Sequence, residues 1–597
     1  MEGAAMASSS AVRLRHYSAL VIALACATGT MTAHALPPIG SADVSIADPV
    51  IPPPPTTPCV VKLFDQFTFA DYNGHPFAYA PPVNCAPPWD KVVLTVDYDV
   101  TMGRQFDRTA QIWIGGANIY FGTTQEPRAT VAPTWHIERD LTDYAPLFLT
   151  AHGGRADLGN TVDDTYTGII HGSADLLFYP ASANVPDHPP RPDALLPLSA
   201  SPDGGTVDLA DADARLSATF TLPTNIERAF LDVIAQSQSD DEFWYLCVPD
   251  SSADELQSCP GSGFRESQVS IDGVPAGVAP IYPWIFTGGI DPGLWRPSPS
   301  IQTLAFEPYR VDLSPFAGLL SDGEPHTIEL GVFNTKNHFA TTANLLLYLD
   351  GGSDQVSGEV TTNTLDAAPT PQVEVTDASD TDLIKKQVSV TSMRTFEIAG
   401  FVQTSHGRIT TDVQQTIAFS NVQQFAIGRD GKLYHQDLTQ STAIDSTTTL
   451  NPGFYQHVLH EQTNWPLTVS YSFDETSQGW SQVTAIDQGL QRATDVGVDG
   501  YVPHVATLDQ RMLTGDTLLF DFDFNAIGRT AQGSTQTFVY QDPFGTCYDR
   551  SITTADGVLT ATTDGASCPD GLNTLSWFDP FRNAGSSIFG ATVQILR

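Results

Sequence analysis

Residues 92–100 read Val-Val-Leu-Thr-Val-Asp-Tyr-Asp-Val. Leu94, Val96, Tyr98 and Val100 fall on one side of an extended chain; Thr95, Asp97 and Asp99 fall on the other. Period-two alternation of this kind marks a strand with one face in a core and one in water. The same grammar spreads outward from it. Residues 110–115 and 175–179 complete a first unit. Leu216, Ala218, Phe220 and Leu222 open a second, continued by 229–235, 268–271, 327–333 and 345–349. In the remainder, Phe520-Asp521-Phe522-Asp523-Phe524 is the clearest alternation. Asp-Gly pairs starting at Asp203, Asp272, Asp322, Asp350, Asp430, Asp499, Asp556, Asp564 and Asp570 supply the positive φ that tight hairpins need. Helical turns are expected only at 141–149 and 314–320. Many short strands with frequent turns predict an all-β chain: two adjacent jelly-roll β-sandwich domains followed by a further β-rich C-terminal domain.

The boundaries follow from composition. Arg13 and Arg15 precede an apolar run ending near Ala27, and Ala33-His34-Ala35 is a small-x-small cleavage site, so 1–35 reads as a signal peptide. A Pro-rich lead follows over 36–58. The first jelly roll is expected at 59–180, a linker at 181–205, the second jelly roll at 206–350, a linker at 351–376, and the C-terminal domain at 377–597. No later apolar run approaches the roughly 20 residues that cross a bilayer. A net charge of −40 argues against nucleic acid and anionic membrane as partners. Outside the signal six cysteines remain. In an exported chain an even number predicts disulfides, and pairing within the local clusters Cys59/Cys85, Cys247/Cys259 and Cys547/Cys568 is the expected connectivity. The chain is expected to be a secreted or periplasmic monomer.

Carboxylates, arginines and large rings concentrate between Asp240 and Pro297, a mixture that suits carbohydrate. Rings stack on sugar faces, carboxylates move protons, and Arg holds polar groups in a fixed fork. Glu242 sits between Asp241 and Phe243-Trp244, where desolvation raises a carboxyl pKa. Glu266 follows Arg265. Trp284, Trp295 and Arg296 lie in loops. Earlier in the chain, Asp107-Arg108 immediately precedes a strand. Metal sites are not expected. His457-Val458-Leu459-His460-Glu461 has the wrong order for a zinc helix, and Asp163-Asp164 and Asp240-Asp241 read as solvated turns before calcium ligands. No P-loop, nucleophile elbow or dinucleotide fingerprint occurs, and no cofactor is expected.

Ordered stretches then carry a family resemblance. They are Gly115-Gly116-Ala117-Asn118-Ile119-Tyr120, Glu126-Pro127-Arg128, 135–144, Asp241-Glu242-Phe243-Trp244-Tyr245, Phe264-Arg265-Glu266, and Tyr282 through Gly288-Gly289-Ile290-Asp291-Pro292 to Leu294-Trp295-Arg296-Pro297. Over roughly 61–350 the chain resembles the acid-active peptide:N-glycosidase A amidases. More distantly it is similar to the bacterial peptide:N-glycosidase F enzymes, whose first jelly roll carries Trp-Asp-Arg before a strand. Phe106-Asp107-Arg108 is the counterpart here. The resemblance implies that Asp107 is the principal catalytic acid and that Glu242 or Glu266 is a second. It implies substrate roles for Arg108, Trp244, Arg265, Trp284, Trp295 and Arg296. A third family glutamate has no match at this level. The implied reaction is hydrolysis of the Asn–GlcNAc amide of N-glycoproteins and N-glycopeptides. A noncatalytic carbohydrate-binding sandwich and an endo-acting glycoside hydrolase are the alternatives.

Overall fold

The computed structural model describes residues 36–181, 191–453, 455–543 and 545–577; the expected signal segment lies outside them. The first unit comprises β1 (Cys59–Phe69), β2 (His75–Tyr79), β3 (Trp89–Val100), β4 (Thr109–Ile114), β5 (Ala117–Thr123), β6 (Thr134–Asp140), β7 (His152–Leu158) and β8 (Ile170–Pro180). They form two antiparallel sheets ordered β1-β8-β3-β6 and β2-β7-β4-β5, the wound order of an eight-stranded jelly roll. One core lies between the sheets, with Leu94, Val96, Tyr98 and Val100 facing Ile112, Ile114 and Tyr120. The alternation of β3 holds at its C-terminal half. In its first half both faces are buried, because the Pro-rich lead docks there. Lys91 donates to the Pro52 carbonyl, and the Ile51 amide donates to Glu138.

The second unit contains β9 (Ala194–Leu198), β10 (Val207–Leu209), β11 (Leu216–Thr221), β12 (Ile226–Ser237), β13 (Glu266–Ile271), β14 (Val274–Pro280), β15 (Tyr309–Asp312), β16 (Pro325–Phe333) and β17 (Phe339–Leu349). One sheet runs β10-β17-β12-β15, with β9 also on β17; the other runs β11-β16-β13-β14. β9 lies inside the stretch that composition marks as a linker. Its run Ala-Leu-Leu-Pro-Leu is apolar enough to pack, and Leu198 is fully buried. The expected turns appear as short helices at Thr142–Leu149 and Ser314–Phe316, the latter continuing into Ala317–Leu320.

The C-terminal unit is one meandering antiparallel sheet. Its strands from Leu383–Thr404 to Ala526–Gln541 are 16 to 22 residues long, up to about 70 Å each. The stretch 351–376 is not a bare linker. It carries the strand Ser357–Asn363 and most of Gln372–Asp377, which pair with opposite ends of Leu383–Thr404. Nor is Phe520 to Phe524 a continuous strand. The Asp521 carboxylate accepts the amides of Asp523 and Asn525, closing a turn that leaves Phe522 and Phe524 exposed. Asp272, Asp499 and Asp556 take positive φ before a positive-φ glycine, as Asp-Gly hairpins require; Asp570-Gly571 has the same φ signs but lies in the short helical turn Pro569–Gly571. The three disulfides pair within their local clusters: Cys59–Cys85, Cys247–Cys259 and Cys547–Cys568.

The units are not beads on a string. Phe396, Phe419, Trp465 and Leu467 of the long sheet share one core with Trp244, Phe264 and Trp284 of the second unit. The first and second units meet through ions. Arg310 of β15 grips Asp232 of β12 at 2.7 and 3.0 Å and reaches Asp143 of the first unit at 2.7 Å. The Tyr144 hydroxyl donates to the same Asp232. Removing one partner of such a buried network leaves the others uncompensated. Arg310→Ala should cost about 3–5 kcal/mol in urea unfolding, because Asp232 and Asp143 both lose their Arg310 bonds at the junction.

Candidate active site

Asp107 stands on the loop that leads into β4. The side chain of Gln105 organises that loop: its amide donates to the carbonyls of Thr161 and Gly168 at 2.9 and 3.0 Å. Its oxygen accepts from Arg108 Nη2 at 2.8 Å, while Arg108 Nε donates to Asn160 at 3.2 Å. Arg108 is therefore held at its head beside Asp107, with its guanidinium 5.8 Å from the centre of the Phe106 ring. Arg104 lies 5.1 Å from the Tyr166 ring centre, and Phe106 and Tyr166 are 5.1 Å apart. These half-buried rings, tilted 45° to each other, and the guanidinium groups make a polar-edged rim next to Asp107.

β4 and β5 pair with Thr109 opposite Thr123, which sets the following residues of β5 against the Asp107 loop. The Arg108 amide donates to Thr124 Oγ1, and the Thr124 amide to the Arg108 carbonyl, both at 2.9 Å. Two residues on stands Glu126, 6 % exposed, with Arg296 Nη2 at 3.0 Å from its carboxylate. The third wall is backbone. Thr287 Oγ1 donates to the Thr124 carbonyl at 2.6 Å and brings Gly288 over both acids. A Cβ on Gly288 would lie 2.4 Å from Asp107 Oδ1 and 2.9 Å from Glu126 Oε1, so any side chain there would have to displace both carboxyl groups.

The electrostatics follow from this crowding. Burial pushes Glu126 up to about 8; Arg296 opposes that rise, and the nearby Asp107 charge adds to it. Burial also raises Asp107, opposed by the Gly288 amide and by Arg108. Two carboxyl groups sharing a desolvated site resist ionising together. At neutral pH and below, Glu126 holds a proton, while the Gly288 amide and Arg108 favour the ionised form of Asp107 against its burial.

Other residues singled out from sequence have different surroundings. Glu242 is half-buried at the end of the turn Ser239–Asp241. The segment leading to it is moored to the Asp107 loop: Gln236 and Gln238 both donate to Thr109 Oγ1 at 3.1 Å. Glu266 is buried and bound to Arg394 of the long sheet at 2.6 Å. Arg265 is buried against Asp241 at 2.8 and 3.0 Å and also donates to the carbonyls of Gly261, Ser262 and Phe264. Asp241 in turn accepts the amides of Asn337 and His338. With those bonds taken, Arg265 braces its own segment and has no donor turned outward for a substrate. Trp244, Trp284 and Trp295 are 1, 5 and 0 % exposed. They fill the core behind the site instead of lining it, because the long sheet closes over the loops that carry them; Trp244 packs on Phe419 and Trp284 on Phe306. The open rings beside Asp107 are Phe106 and Tyr166. Glu126 had a legible trace in the Glu-Pro-Arg stretch, whereas nothing in the sequence singles out Tyr166. The Asp163 turn is as expected, its carboxylate accepting the amides of Thr165 and Tyr166.

The loop bearing Gly288 and Arg296 has little regular structure, and the long sheet clamps it. Arg529 makes two 2.9 Å bonds to Asp291 and also pairs with Asp516. Gln532 donates to the Gly293 and Arg296 carbonyls at 2.8 Å, and Thr514 to that of Leu294 at 2.9 Å. Trp295 Nε1 ties back to the Gly289 carbonyl. Held this way, Ile290 keeps a φ of +62°, a costly conformation for a β-branched residue.

The candidate site of this all-β chain thus gathers two carboxyl groups, Asp107 and Glu126, two arginines and an aromatic rim where the first two units meet. Residues 49–366 match the family model described as Peptide N-acetyl-beta-D-glucosaminyl asparaginase amidase A. The chain is 30 % identical over 540 residues to peptide-N4-(N-acetyl-beta-glucosaminyl)asparagine amidase A of Prunus dulcis, covering 86 % of this chain and 91 % of that one. The chain belongs to the peptide-N-glycanase A family. Among solved structures, PNGase F, a glycosylasparaginase from Flavobacterium meningosepticum, aligns at 13 % identity with a TM-score of 0.34, over 49 % of this chain and 96 % of that one. PNGF-II aligns at 12 % identity and a TM-score of 0.34, over 49 % and 66 %.

Two outcomes follow from this geometry. Arg529→Ala strands Asp291 and Asp516, 3 and 0 % exposed, and should lower stability by about 3–5 kcal/mol in denaturant titration. Glu126 titrates at about 8 when folded and near 4.5 as a free side chain. The folded chain therefore binds more protons across that window, and Glu126 makes stability fall as pH rises from 4.5 to 8. Glu126→Gln should remove this fall, seen as a smaller loss of melting temperature between those two pH values than in the wild type.

Proposed function

We propose that this amidase hydrolyses the bond between asparagine and the first N-acetylglucosamine of N-glycoproteins and N-glycopeptides, with Asp107 and Glu126 as its proton-transfer pair. The observation that carries the reading is the meeting of those two acids across Gly288, with Arg296 on Glu126 and Arg108 beside Asp107. Amide hydrolysis needs a water proton removed as oxygen attacks the carbonyl carbon. It also needs a proton delivered to nitrogen as the C–N bond breaks. Asp107, whose ionised form the Gly288 amide and Arg108 favour, takes the water proton. Glu126, still protonated in an acidic medium, gives its proton to the departing nitrogen. The proton on Asp107 then restores Glu126. The products are aspartate in the peptide and a glycosylamine. Arg296 steadies the transiently ionised Glu126, and Glu242 supplies a third carboxyl for the first sugar. The Phe106–Tyr166 rim offers an apolar face to a pyranose, with Arg104 and Arg108 at its edge. Three disulfides suit an oxidising compartment, and we place the working enzyme outside the cytosol.

A glycopeptide incubated with the enzyme should lose its whole glycan and leave a peptide with aspartate in place of the glycosylated asparagine. A peptide that keeps one sugar would point to an endoglycosidase, and an unchanged peptide to a binding protein. Asp107→Asn should lower kcat by about 10²–10⁴ with an unchanged melting temperature. Activity should fall as pH rises through about 8, where Glu126 loses its proton.

A further inference from the structure

The Pro-rich lead is no free spacer: between Gly40 and Pro52 it is bonded to all three units. The Gly40 amide donates to the Leu559 carbonyl at 2.6 Å, and the Leu559 amide donates to the Ser41 carbonyl at 2.9 Å. The Ala47 amide donates to Gln536 Oε1 at 2.7 Å, and the Tyr548 hydroxyl to the Ala47 carbonyl at 3.1 Å. Ala47 also packs with Ile552 and Leu559, so the long sheet holds one end. The first unit holds the other, through Glu138 on the Ile51 amide and Lys91 on the Pro52 carbonyl. Between these anchors the Ser45 amide donates to the Pro297 carbonyl at 3.0 Å, one residue after Arg296.

Residues 296–299 read Arg-Pro-Ser-Pro. Pro297 and Pro299 have no N–H, so this run cannot join a regular ladder and is held by donors brought to its carbonyls. The Arg296 carbonyl takes Gln532, that of Pro297 takes Ser45, and that of Pro299 takes Gln536 Nε2 at 3.2 Å. Gln536 thus ties lead and stretch together, since its oxygen holds Ala47. Ser45 and Ala47 are 1 and 0 % exposed and Pro297 is buried, so water is poorly placed to replace a lost bond.

We propose that residues 40–52 are a positioning strap: through Pro297 and Pro299 they set where Arg296 meets Glu126, without touching substrate. The kinetic consequence rests on the amidase reading above. Asp48, next to Ala47, gives the strap a pH signature. It faces Glu307, Gln510, Tyr282 and Tyr548. Arg492 lies 3.8 Å from Glu307, and Arg550 is 5.3 Å from the Tyr548 ring centre. Charge at the far end comes from Glu138 with His136, and from Lys91 with Asp140. Burial pushes Asp48 up to about 7 and Glu307 adds to the rise, while its own amide and Gln510 oppose it. A free aspartate titrates near 3.8. Docking of the strap therefore weakens as pH rises from about 4 to about 7, by at most about tenfold per pH unit, and levels off above.

The test has two arms. Hydrogen exchange of 40–52, corrected for intrinsic rates, should lose about tenfold or more in protection from pH 5 to 7 in the wild type, and keep its acid level in Asp48→Asn. Gln536→Leu removes the bonds to Ala47 and Pro299, and Ser45→Pro removes the donor to Pro297. At pH 5 each should lower protection of both 40–52 and 291–300, and lower kcat for a glycopeptide about tenfold with KM unchanged. Thr56→Ala cuts the lead's bond to the Pro180 carbonyl, outside the strap, and should leave kcat as it was. Should one of the two strap variants not fold, the other carries the test. Wild-type protection that ignores pH, or that falls equally in Asp48→Asn, would overturn the role of Asp48. Unchanged kcat in the folded strap variants, or an equal loss in Thr56→Ala, would overturn the positioning. A wild type that releases no glycan would instead remove the amidase reading, with exchange over 291–300 still deciding whether the strap holds the stretch.

Discussion

Glu126 is buried next to a second carboxyl group, and all three units help to place the residues that surround the pair. Like charges out of water cannot both ionise, so one acid keeps its proton unless cations and amides intervene. Here they do so partly. Arg296 meets Glu126, while the Gly288 amide and Arg108 favour ionised Asp107. The result is a pair with divided protonation, which is the condition for acid–base work on one bond. Arg296 and Gly288 both sit on a stretch whose sole short helix within 283–300 is the turn Pro292–Trp295.

An irregular stretch cannot hold a guanidinium and a glycine amide in place on its own. Three bodies share the task. The first unit provides Asp107, Arg108 and Glu126 from the loop before β4 and the end of β5, and it pins Gly288 through Thr124. The second unit provides the stretch itself and Glu242. The long sheet contributes none of these residues, yet Arg529, Gln532, Thr514 and Gln488 bond the stretch along its length. Its strands are long because they must reach from the second unit's core to this clamp while sharing that core. Arg265 and Glu266 belong to the same bracing. Their ion pairs with Asp241 and Arg394 fix the segment that bears Glu242 and dock β13 on the long sheet.

The strands were legible wherever one face meets water, as at the C-terminal half of β3 and in β11. They were less so where both faces are covered. β9 hid in a Pro-rich stretch because burial, not alternation, makes it a strand. Phe520 to Phe524 shows the converse: a perfect alternation that Asp521 bends into a turn, because a local side-chain bond outweighed the pattern. In the site, Asp107, Arg108 and Arg296 were legible because they fall within motifs. Glu126 was quoted only as part of a motif, since an acid far along the chain from Asp107 shows no sign of facing it. The tryptophans misled for a related reason. A ring in a loop reads as exposed until a sheet from elsewhere in the chain covers it.

By itself the sequence determined the all-β class and the family, because both depend on residues close in the chain or on ordered motifs; local disulfide pairing was the expected one of several connectivities, and the structure has it. Tertiary structure decided which acid faces Asp107, which rings stay open and what the C-terminal unit does. Those depend on which surfaces exclude water. Desolvation is a property of the assembled neighbourhood, and Glu126 keeps its proton towards neutral pH because the fold buries it beside Asp107, against the pull of Arg296.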